Sequence, residues 1–340
     1  MSREVLEFVD RETAAKTLLG FLIAGILLYL FAAGIGLGEV SRALSDADPR
    51  WLAAGCLSTL LCLALWGKAW QVVLGVAGIE VPYRRLVVTY FAATFANYVT
   101  PLGQAGGEPF IAYVLSRDTG ATYEDSLASV VTADLLNLLP FFSFSAVGMS
   151  VLLVQAELPP IAEGLARGLL LMAVGVPAIV AGAWRYREWV RGGVLRVVAP
   201  VARITDRVSV DGVGRRVDDL FDAFDRIARD RVALVKAIVF AYAGWVFFAL
   251  PLYAAAQTLG EPVGLLLVLF IVPASTLAGL TPSPGGLGGV EFALVALLVA
   301  LVPGIGTAAA LAIALVYRLM SYWFALLVGG GAAVAVLVRS

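Results

Sequence analysis

Long apolar stretches recur along this chain at roughly 16–37, 51–75, 126–154, 161–184, 232–258 and 307–337. Each reaches the ~20 residues that a helix needs to cross the hydrocarbon core of a bilayer. Composition agrees, since only 14% of the 340 residues are charged and 61% are hydrophobic, where a soluble domain carries about 25% charged residues. The chain therefore reads as an all-α polytopic membrane protein with six full transmembrane helices. The first stretch is flanked by Arg3, Glu4, Glu7, Asp10, Arg11, Glu12 and Lys16 and is too long for a signal-peptide core, so it is expected to remain as an anchor.

Two further apolar blocks, at about 87–116 and 264–301, are broken in the middle. They read "FAATFANYVTPLGQAGGEPFIAYVL" and "FIVPASTLAGLTPSPGGLGGVEFALVALL". Both run apolar, then Thr-Pro, then a glycine cluster, then a glutamate, then apolar again. Thr100, Pro101, Gly103, Gly106, Gly107 and Glu108 correspond to Thr281, Pro282, Gly285, Gly286, Gly288, Gly289 and Glu291. A helix does not continue through that density of proline and glycine, and each arm is too short to span. The spacing predicts two re-entrant pairs, in which a helix enters, breaks near the midplane and a second short helix returns. Non-helical backbone at that depth is tolerated only where protein or a water-filled cavity surrounds it.

Arginine placement sets the orientation. The segment 185–231 carries eleven arginines, whereas the connections at 155–160, 260–263 and 302–306 carry none, so 185–231 is expected on the cytoplasmic side. Both termini then fall inside. Three full spans separate the two broken blocks, and an odd number reverses direction. The two pairs are thus expected to enter from opposite sides as an inverted repeat, the arrangement in which secondary transporters place a site near the midplane.

Helices starting near Gly106 and Gly288 would aim free N–H groups into such a site, which suits an anionic group such as phosphate. Ionisable residues inside the apolar blocks are few: Lys68, Glu108, Asp134, Glu291 and Arg318. Each is costly at that depth and so is a functional candidate. Lys68 could instead snorkel from the end of its span. Asp134 could pair with Arg318 or pack on Asn137. Glu291 shares a helix face with Gly288 and is expected to look into the cavity, with Glu108 doing the same from the other side. Arg318 lies about eleven residues into the last span, on the order of 16 Å deep. There it either holds a carboxylate or recognises a lipid phosphate through a two-point fork, with Tyr322 on the same face at i+4.

The chain has no histidine, and its two cysteines, Cys56 and Cys62, form no metal-binding pattern. No cofactor, metal or nucleic-acid partner is expected. Within 185–231, Val213, Val217, Leu220, Phe221, Phe224 and Ile227 fall at helical spacing among charged residues, which predicts an amphipathic helix on the inner membrane face. No soluble block is large enough for a transferase domain, so residues 1–340 read as one transmembrane domain.

The runs "TPLGQAGGEP", "TPSPGGLGGVE" followed by "FALVALL", and "YRLMSYW" resemble the flippase-like membrane family that includes the transmembrane region of lysylphosphatidylglycerol synthases. The resemblance covers essentially the whole chain. It implies movement of lipids with polar headgroups between leaflets, aminoacylated phospholipids or isoprenoid-linked sugars among them, and a cavity lined by Gly103, Gly106, Glu108, Gly285, Gly286, Gly288, Glu291 and Arg318. One departure stands out: relatives show Glu-Arg followed by Asp on the span after the first broken pair, where this chain has Ala133, Asp134 and Asn137. Taken together, the expected substrate-binding residues are Asn97, Thr100, Gly103, Gly106, Gly107, Glu108, Thr281, Gly285, Gly286, Gly288, Gly289, Glu291, Arg318 and Tyr322. Lys68, Asp134 and Asn137 are secondary candidates. The leading expectation is a cell-membrane lipid flippase or scramblase, without enzymatic activity, acting on an anionic or sugar-linked lipid and working beside a separate lipid-modifying synthase or glycosyltransferase. A membrane-embedded headgroup transferase and a secondary transporter of a small anion are the alternatives.

Overall fold

The computed structural model describes residues 45, 47–99, 104–155, 160–202, 209–276 and 283–339. Among these residues the regular structure is helical throughout. Helix α1 (Pro49–Val76) starts where Asp48 caps the N–H of Arg50 at 2.8 Å, with Pro49 at the first helical position. It is followed by α2 (Tyr83–Val99), α3 (Gln104–Thr119), α4 (Tyr123–Gln155), α5 (Pro160–Arg185), α6 (Arg187–Ala202), α7 (Val210–Arg229) and α8 (Arg231–Thr258). Helix α9 (Leu265–Thr276) precedes a 3₁₀ turn at Pro284–Gly286, and α10 (Gly289–Leu301) follows it. Helix α11 (Thr307–Arg318) runs through a π-helical turn at Leu319–Trp323 into α12 (Phe324–Arg339).

Among the described residues, five stretches are long and apolar enough to cross a membrane: Pro49–Val76, Tyr123–Gly148, Arg231–Thr258, Pro284–Leu301 and Thr307–Val336. The span expected at 16–37 lies outside the described residues. In the span expected at 161–184, helix α5 is present, and the apolar stretch recognised within it is the shorter Val174–Arg185. The stretch Pro284–Leu301 includes the 3₁₀ turn, and its regular helix is only the 13 residues of α10.

One order of packing occurs twice. In the first half, α1 packs on α2 and α4, α2 on α3, and α3 on α4; in the second, α8 packs on α9 and α11, α9 on α10, and α10 on α11. Both lead helices, α1 and α8, are 28 residues long, about 42 Å at 1.5 Å per residue. The helices on either side of the breaks are shorter, 17 and 16 residues for α2 and α3, 12 and 13 for α9 and α10. Each half has its own apolar core. Leu63, Trp70, Leu74, Leu86, Ile111 and Val130 gather around the first break, and Leu252, Phe270, Ile271, Leu294, Leu298 and Leu311 around the second.

The halves join along α1 and α8. Small residues allow the close approach: a Cβ at Gly244 would collide with the Trp66 indole, which donates to the Ala241 carbonyl at 3.4 Å. Ser58 donates to the Phe247 carbonyl at 2.6 Å. Helix α12 closes on α2 in the same way, where a Cβ at Gly329 would come within 2.6 Å of the Phe91 carbonyl oxygen.

Among its described residues the arginine-rich segment holds two helices, α6 and α7, and the amphipathic helix that the spacing predicts is α7. Ser209 caps α7 by accepting from the N–H of Gly212 at 3.0 Å. The apolar side of α7 is turned onto protein instead of lying open to lipid. Ala223 and Ile227 are buried, and Ile227 joins the core formed by Leu74, Ile111 and Leu115. Its polar side is tied to α5 and α6 by Trp184 and Arg187 to Asp225, at 2.7 and 2.9 Å, and by Arg191 to Asp218 at 2.8 Å.

Candidate functional site

The second break is folded around an arginine. Pro284 starts the 3₁₀ turn, and Gly285, Gly286 and Gly288 take φ of 57°, 65° and 86°, left-handed conformations that side-chain-bearing residues rarely adopt. This turn brings the Gly285 carbonyl to 2.8 Å from Arg318 Nη2. A Cβ on Gly285 would run into the Tyr322 ring. The glycine run of the sequence is therefore a backbone wrapped tightly over two side chains of the last span.

Glu291 sits at the third position of α10. Its Oε2 accepts from the Gly288 N–H at 2.7 Å, and its Oε1 accepts from Arg318 Nε at 2.7 Å. Two expectations change here. Glu291 does not look into a cavity, being only 1% exposed and folded back onto the start of its own helix. The Gly288 N–H expected to be free for an anionic ligand is taken by that carboxylate, as in the glutamate half of a capping box. Arg318 holds a carboxylate, which was one of its two expected roles. With Arg318 at 8% exposure the ion pair is buried. Its guanidinium also lies over the Tyr322 ring, 4.3 Å from the centroid. No partner for Nη1 lies among the described residues.

The helix widens right after Arg318. The π turn at Leu319–Trp323 places Tyr322 against the break, and Thr59 of α1 donates to the Met320 carbonyl at 2.9 Å. Tyr322 then reaches the other half of the molecule. Its ring packs on Tyr98 at 4.9 Å between centroids, and its hydroxyl donates to the Tyr98 carbonyl at 3.3 Å. Tyr98 is the penultimate residue of α2, at the edge of the first break, and it also packs against Leu287. The two interruptions, nearly two hundred residues apart in sequence, thus meet through Tyr98, Leu287 and Tyr322.

The first break is less fully described. Thr100 and Gly103, like Thr281 of the second break, lie outside the described residues, while Gly106 and Gly107 fall in the first turn of α3. Glu108 follows them on α3 and lies close to Asp134 of α4. Asp134 pairs with neither Arg318 nor Asn137; its Oδ1 accepts from the Trp70 indole of α1 at 2.9 Å. Asn97 and Asn137 each carry a buried amide oxygen with no partner among the described residues. Gly289 is the first residue of α10. Lys68 is away from both breaks: its ammonium donates to Gln71 at 2.6 Å and lies over the Tyr83 ring.

Tyr98, Trp70 and Leu287 were not singled out from the sequence. Tyr98 does stand two residues before the first Thr-Pro, so its position beside a break was legible. Trp70 was not, because one aromatic in an apolar helix is ordinary.

Residues 17–329 match the family described as lysylphosphatidylglycerol synthase TM region. The chain belongs to this family. Members similar to it include a UPF0104 membrane protein of Methanothermobacter thermautotrophicus, 27% identical over 94% of this chain and 93% of the relative. Another, from Pyrococcus horikoshii, is 23% identical over 90% and 92%. The glycosyltransferase AglD of Haloferax volcanii is 27% identical over 87% of this chain but only 50% of its own length. Membership and the five candidate spans together make this a multi-pass membrane protein.

Proposed function

We propose that the chain moves a lipid with an anionic or sugar-phosphate headgroup between the two leaflets, by way of a site where the two helix breaks meet. The observation that carries this reading is the contact of the breaks through Tyr98, Leu287 and Tyr322, beside the Glu291–Arg318 pair. Non-helical backbone at membrane depth is tolerated only where protein or a water-filled cavity surrounds it, and a transport site supplies such surroundings. Two breaks that converge, in two halves with matching packing order, fit an inverted repeat with one shared site. In this reading the arginine-rich α6–α7 segment faces the cytoplasm, as the positive-inside tendency favours, and the termini lie on the same side of the cell membrane.

In the arrangement described here the site is closed. Arg318 already has a carboxylate and a carbonyl on Nε and Nη2. A lipid phosphate would compete with Glu291 for that fork or be received on Nη1, while Tyr98 and Tyr322 part to admit it. A headgroup exchanging with an internal carboxylate gives the arginine a partner in both states, which avoids a bare buried charge. AglD supports the same division of labour: the chain matches half of a protein named as a glycosyltransferase, so a separate synthase or transferase would supply the lipid.

The test is purified protein in vesicles of phosphatidylglycerol and phosphatidylcholine carrying a fluorescent lipid. Leaflet exchange, headgroup modification and uptake of a soluble anion are read in parallel. Exchange well above protein-free vesicles, lost in Arg318→Ala protein that still melts cooperatively, supports the reading. Headgroup modification or anion uptake without exchange replaces it with the corresponding alternative.

A further inference from the structure

Helices α1 and α8 run antiparallel along the seam between the halves. Ser58 donates to the Phe247 carbonyl, Trp66 to the Ala241 carbonyl, and Thr258 to the Asp48 carbonyl at 2.9 Å. The C-terminal end of α1 is therefore beside the start of α8, and there the two helices part. They leave a groove of about 330 Å³ lined by Gln71, Val72 and Gly75 of α1, by Asp230 at the head of α8, and by Val232, Ala233 and Lys236 within it. That volume lies in the range of small-ligand sites.

The groove opens toward lipid. Helix α8 makes up the candidate span Arg231–Thr258, and its Val232, Val235 and Val239 are each more than half exposed. At 3.6 residues per turn these valines and Lys236 fall within an arc of about 100° around the helix. An exposed lysine thus stands at the edge of an apolar, lipid-facing surface. Lys236 was not singled out from the sequence, although it lies inside the apolar stretch 232–258. It comes five residues after Arg231, the first of α8, ~7.5 Å along the axis. Side chains on a helix lean toward its N-terminus, so the ammonium is carried back toward the headgroup end, where it lines the groove.

The other polar groups of the groove are already used. Asp230 caps α8, its Oδ1 accepting from the N–H groups of Val232 and Ala233 at 3.1 and 3.0 Å. The helix end therefore offers an incoming anion no free N–H there, and the positive end of the helix dipole offsets the carboxylate. Gln71 accepts from Lys68 at 2.6 Å and donates to the Val81 carbonyl at 2.8 Å. Lys236 and Arg231, by contrast, make no hydrogen bond or ion pair among the described residues. The charge left over at this end of α8 is positive. Gly75 keeps the groove open, since it is exposed and a Cβ there would meet nothing within 4 Å.

We propose that this groove binds the headgroup phosphate of an anionic phospholipid from the leaflet on the α7 side, with Lys236 as its counter-ion and the acyl chains lying against Val235 and Val239. A lysine is suited to this, being a compact charge on a flexible stem that follows a phosphate at the edge of the bilayer. Bound there, the lipid touches both lead helices and fills the seam where they part. The groove is separate from the helix breaks, and its occupation does not depend on the transport reading.

The test is labelling of the purified full-length protein, in phosphatidylcholine vesicles, by a photoreactive phosphatidylglycerol whose reactive group sits at the top of one acyl chain. Labelled peptides are mapped by mass spectrometry, which separates this groove from the site at the breaks. Wild type is expected to be labelled within 71–76 and 230–239, several-fold more than by the corresponding phosphatidylcholine analogue. Lys236→Gln removes one cation near the membrane surface and is expected to lower phosphatidylglycerol labelling there about fivefold, with the phosphatidylcholine background unchanged. Gly75→Leu puts a side chain into the groove without altering charge and is expected to lower labelling too. Lys236→Gln decides the matter if Gly75→Leu melts lower than wild type.

Equal labelling by the two analogues, labelling unaffected by Lys236→Gln, or labelling confined to peptides around Tyr98 and Tyr322 overturns the lipid groove. Inorganic phosphate added at constant ionic strength is expected to leave labelling as it was, and displacement by it overturns the proposal in favour of a soluble anion. Labelling of the groove that is lost in Lys236→Gln, in a wild-type protein that exchanges no lipid between leaflets, removes the transport reading and leaves the groove standing.

Discussion

Arg318 Nε donates to Glu291 Oε1 at 2.7 Å inside a layer of protein that leaves the carboxylate 1% exposed and the arginine 8%. Breaking such a pair from one side strands a buried charge, which costs ~3–5 kcal/mol. Arg318→Ala should therefore lower the melting temperature sharply in detergent, and adding Glu291→Gln should recover part of the loss. Arg318→Lys keeps the charge but cannot reach Glu291 and the Gly285 carbonyl in the same planar geometry, so its melting temperature should fall between the two. Lipid exchange on the same proteins separates the roles. A variant with near wild-type melting and no exchange assigns Arg318 to substrate, whereas loss of exchange only in proportion to unfolding assigns it to the scaffold.

The glycines of the second break should differ from ordinary turn glycines. Gly285 and Gly304 both have positive φ, 57° and 82°, but a Cβ at Gly304 meets nothing within 4 Å while one at Gly285 meets the Tyr322 ring. Alanine at Gly304 should cost only the backbone term, ~1–2 kcal/mol. Alanine at Gly285 should cost that and displace Tyr322 as well, loosening its contact with Tyr98. Thermal melts of the two variants, with tyrosine fluorescence following the Tyr98–Tyr322 stack, measure the difference. Equal losses would show that Tyr322 yields freely and that the turn does not clamp it.

How far the sequence reveals this arrangement depends on the scale of the pattern. Apolar runs of membrane length are set by solvent, and α1, α4, α8 and α11–α12 are found where those runs fall. The breaks are set by proline and glycine, and the helices stop or restart there as expected at Val99, Gln104 and Gly289. Pairing of the polar residues was harder. Glu291 at the third position of α10 could equally have faced a cavity or capped its own helix, and only the left-handed path of Gly285–Gly288 brings it back onto Arg318. Asp134 met Trp70 and Glu108 because of how α1, α3 and α4 pack, and nothing in the spacing of those three residues records that. Periodicity showed the apolar side of α7 but not its neighbour, so α4 took the place expected for lipid.

Charge on α7 predicts a small pH effect of fixed sign. Burial first, and then the nearby Asp125, Glu124, Asp222 and Asp218, push the Asp219 carboxyl above its ordinary value. A carboxyl raised in the folded state binds its proton more tightly there than in the unfolded chain, so folding loses stability as pH rises through that range. Asp219→Asn should therefore melt higher than wild type at neutral pH. The advantage should shrink as pH falls and vanish below the ordinary aspartate range, where both proteins are neutral at this position. Because Asp219 is solvent-accessible, salt should reduce the difference. An advantage that grows on acidification would contradict the assigned sign.

The opposite entry proposed for the two broken pairs makes the sharpest prediction about topology. The packing order α1–α4 recurs in α8–α11; if the three spans expected from the sequence between the breaks all cross, the second copy is inverted, and among the described residues two of them are long and apolar enough to do so. In protein with Cys56 and Cys62 replaced by alanine, single cysteines at Asp211 and Pro303 serve as references, one in the arginine-rich segment and one in a connection without arginine. A membrane-impermeant thiol reagent should reach Asp211→Cys only from the cytoplasmic side and Pro303→Cys only from outside. At the breaks, Leu102→Cys should follow the first reference and Ser283→Cys the second, each at a slower rate because the site is closed. Adding lipid substrate should change both rates together if the breaks share one site, since Tyr98 and Tyr322 must then part in a single movement. Access to both break positions from the same side would exclude the inverted arrangement. Rates that respond to lipid at one break but not the other would leave the inversion intact and separate the two breaks into independent features.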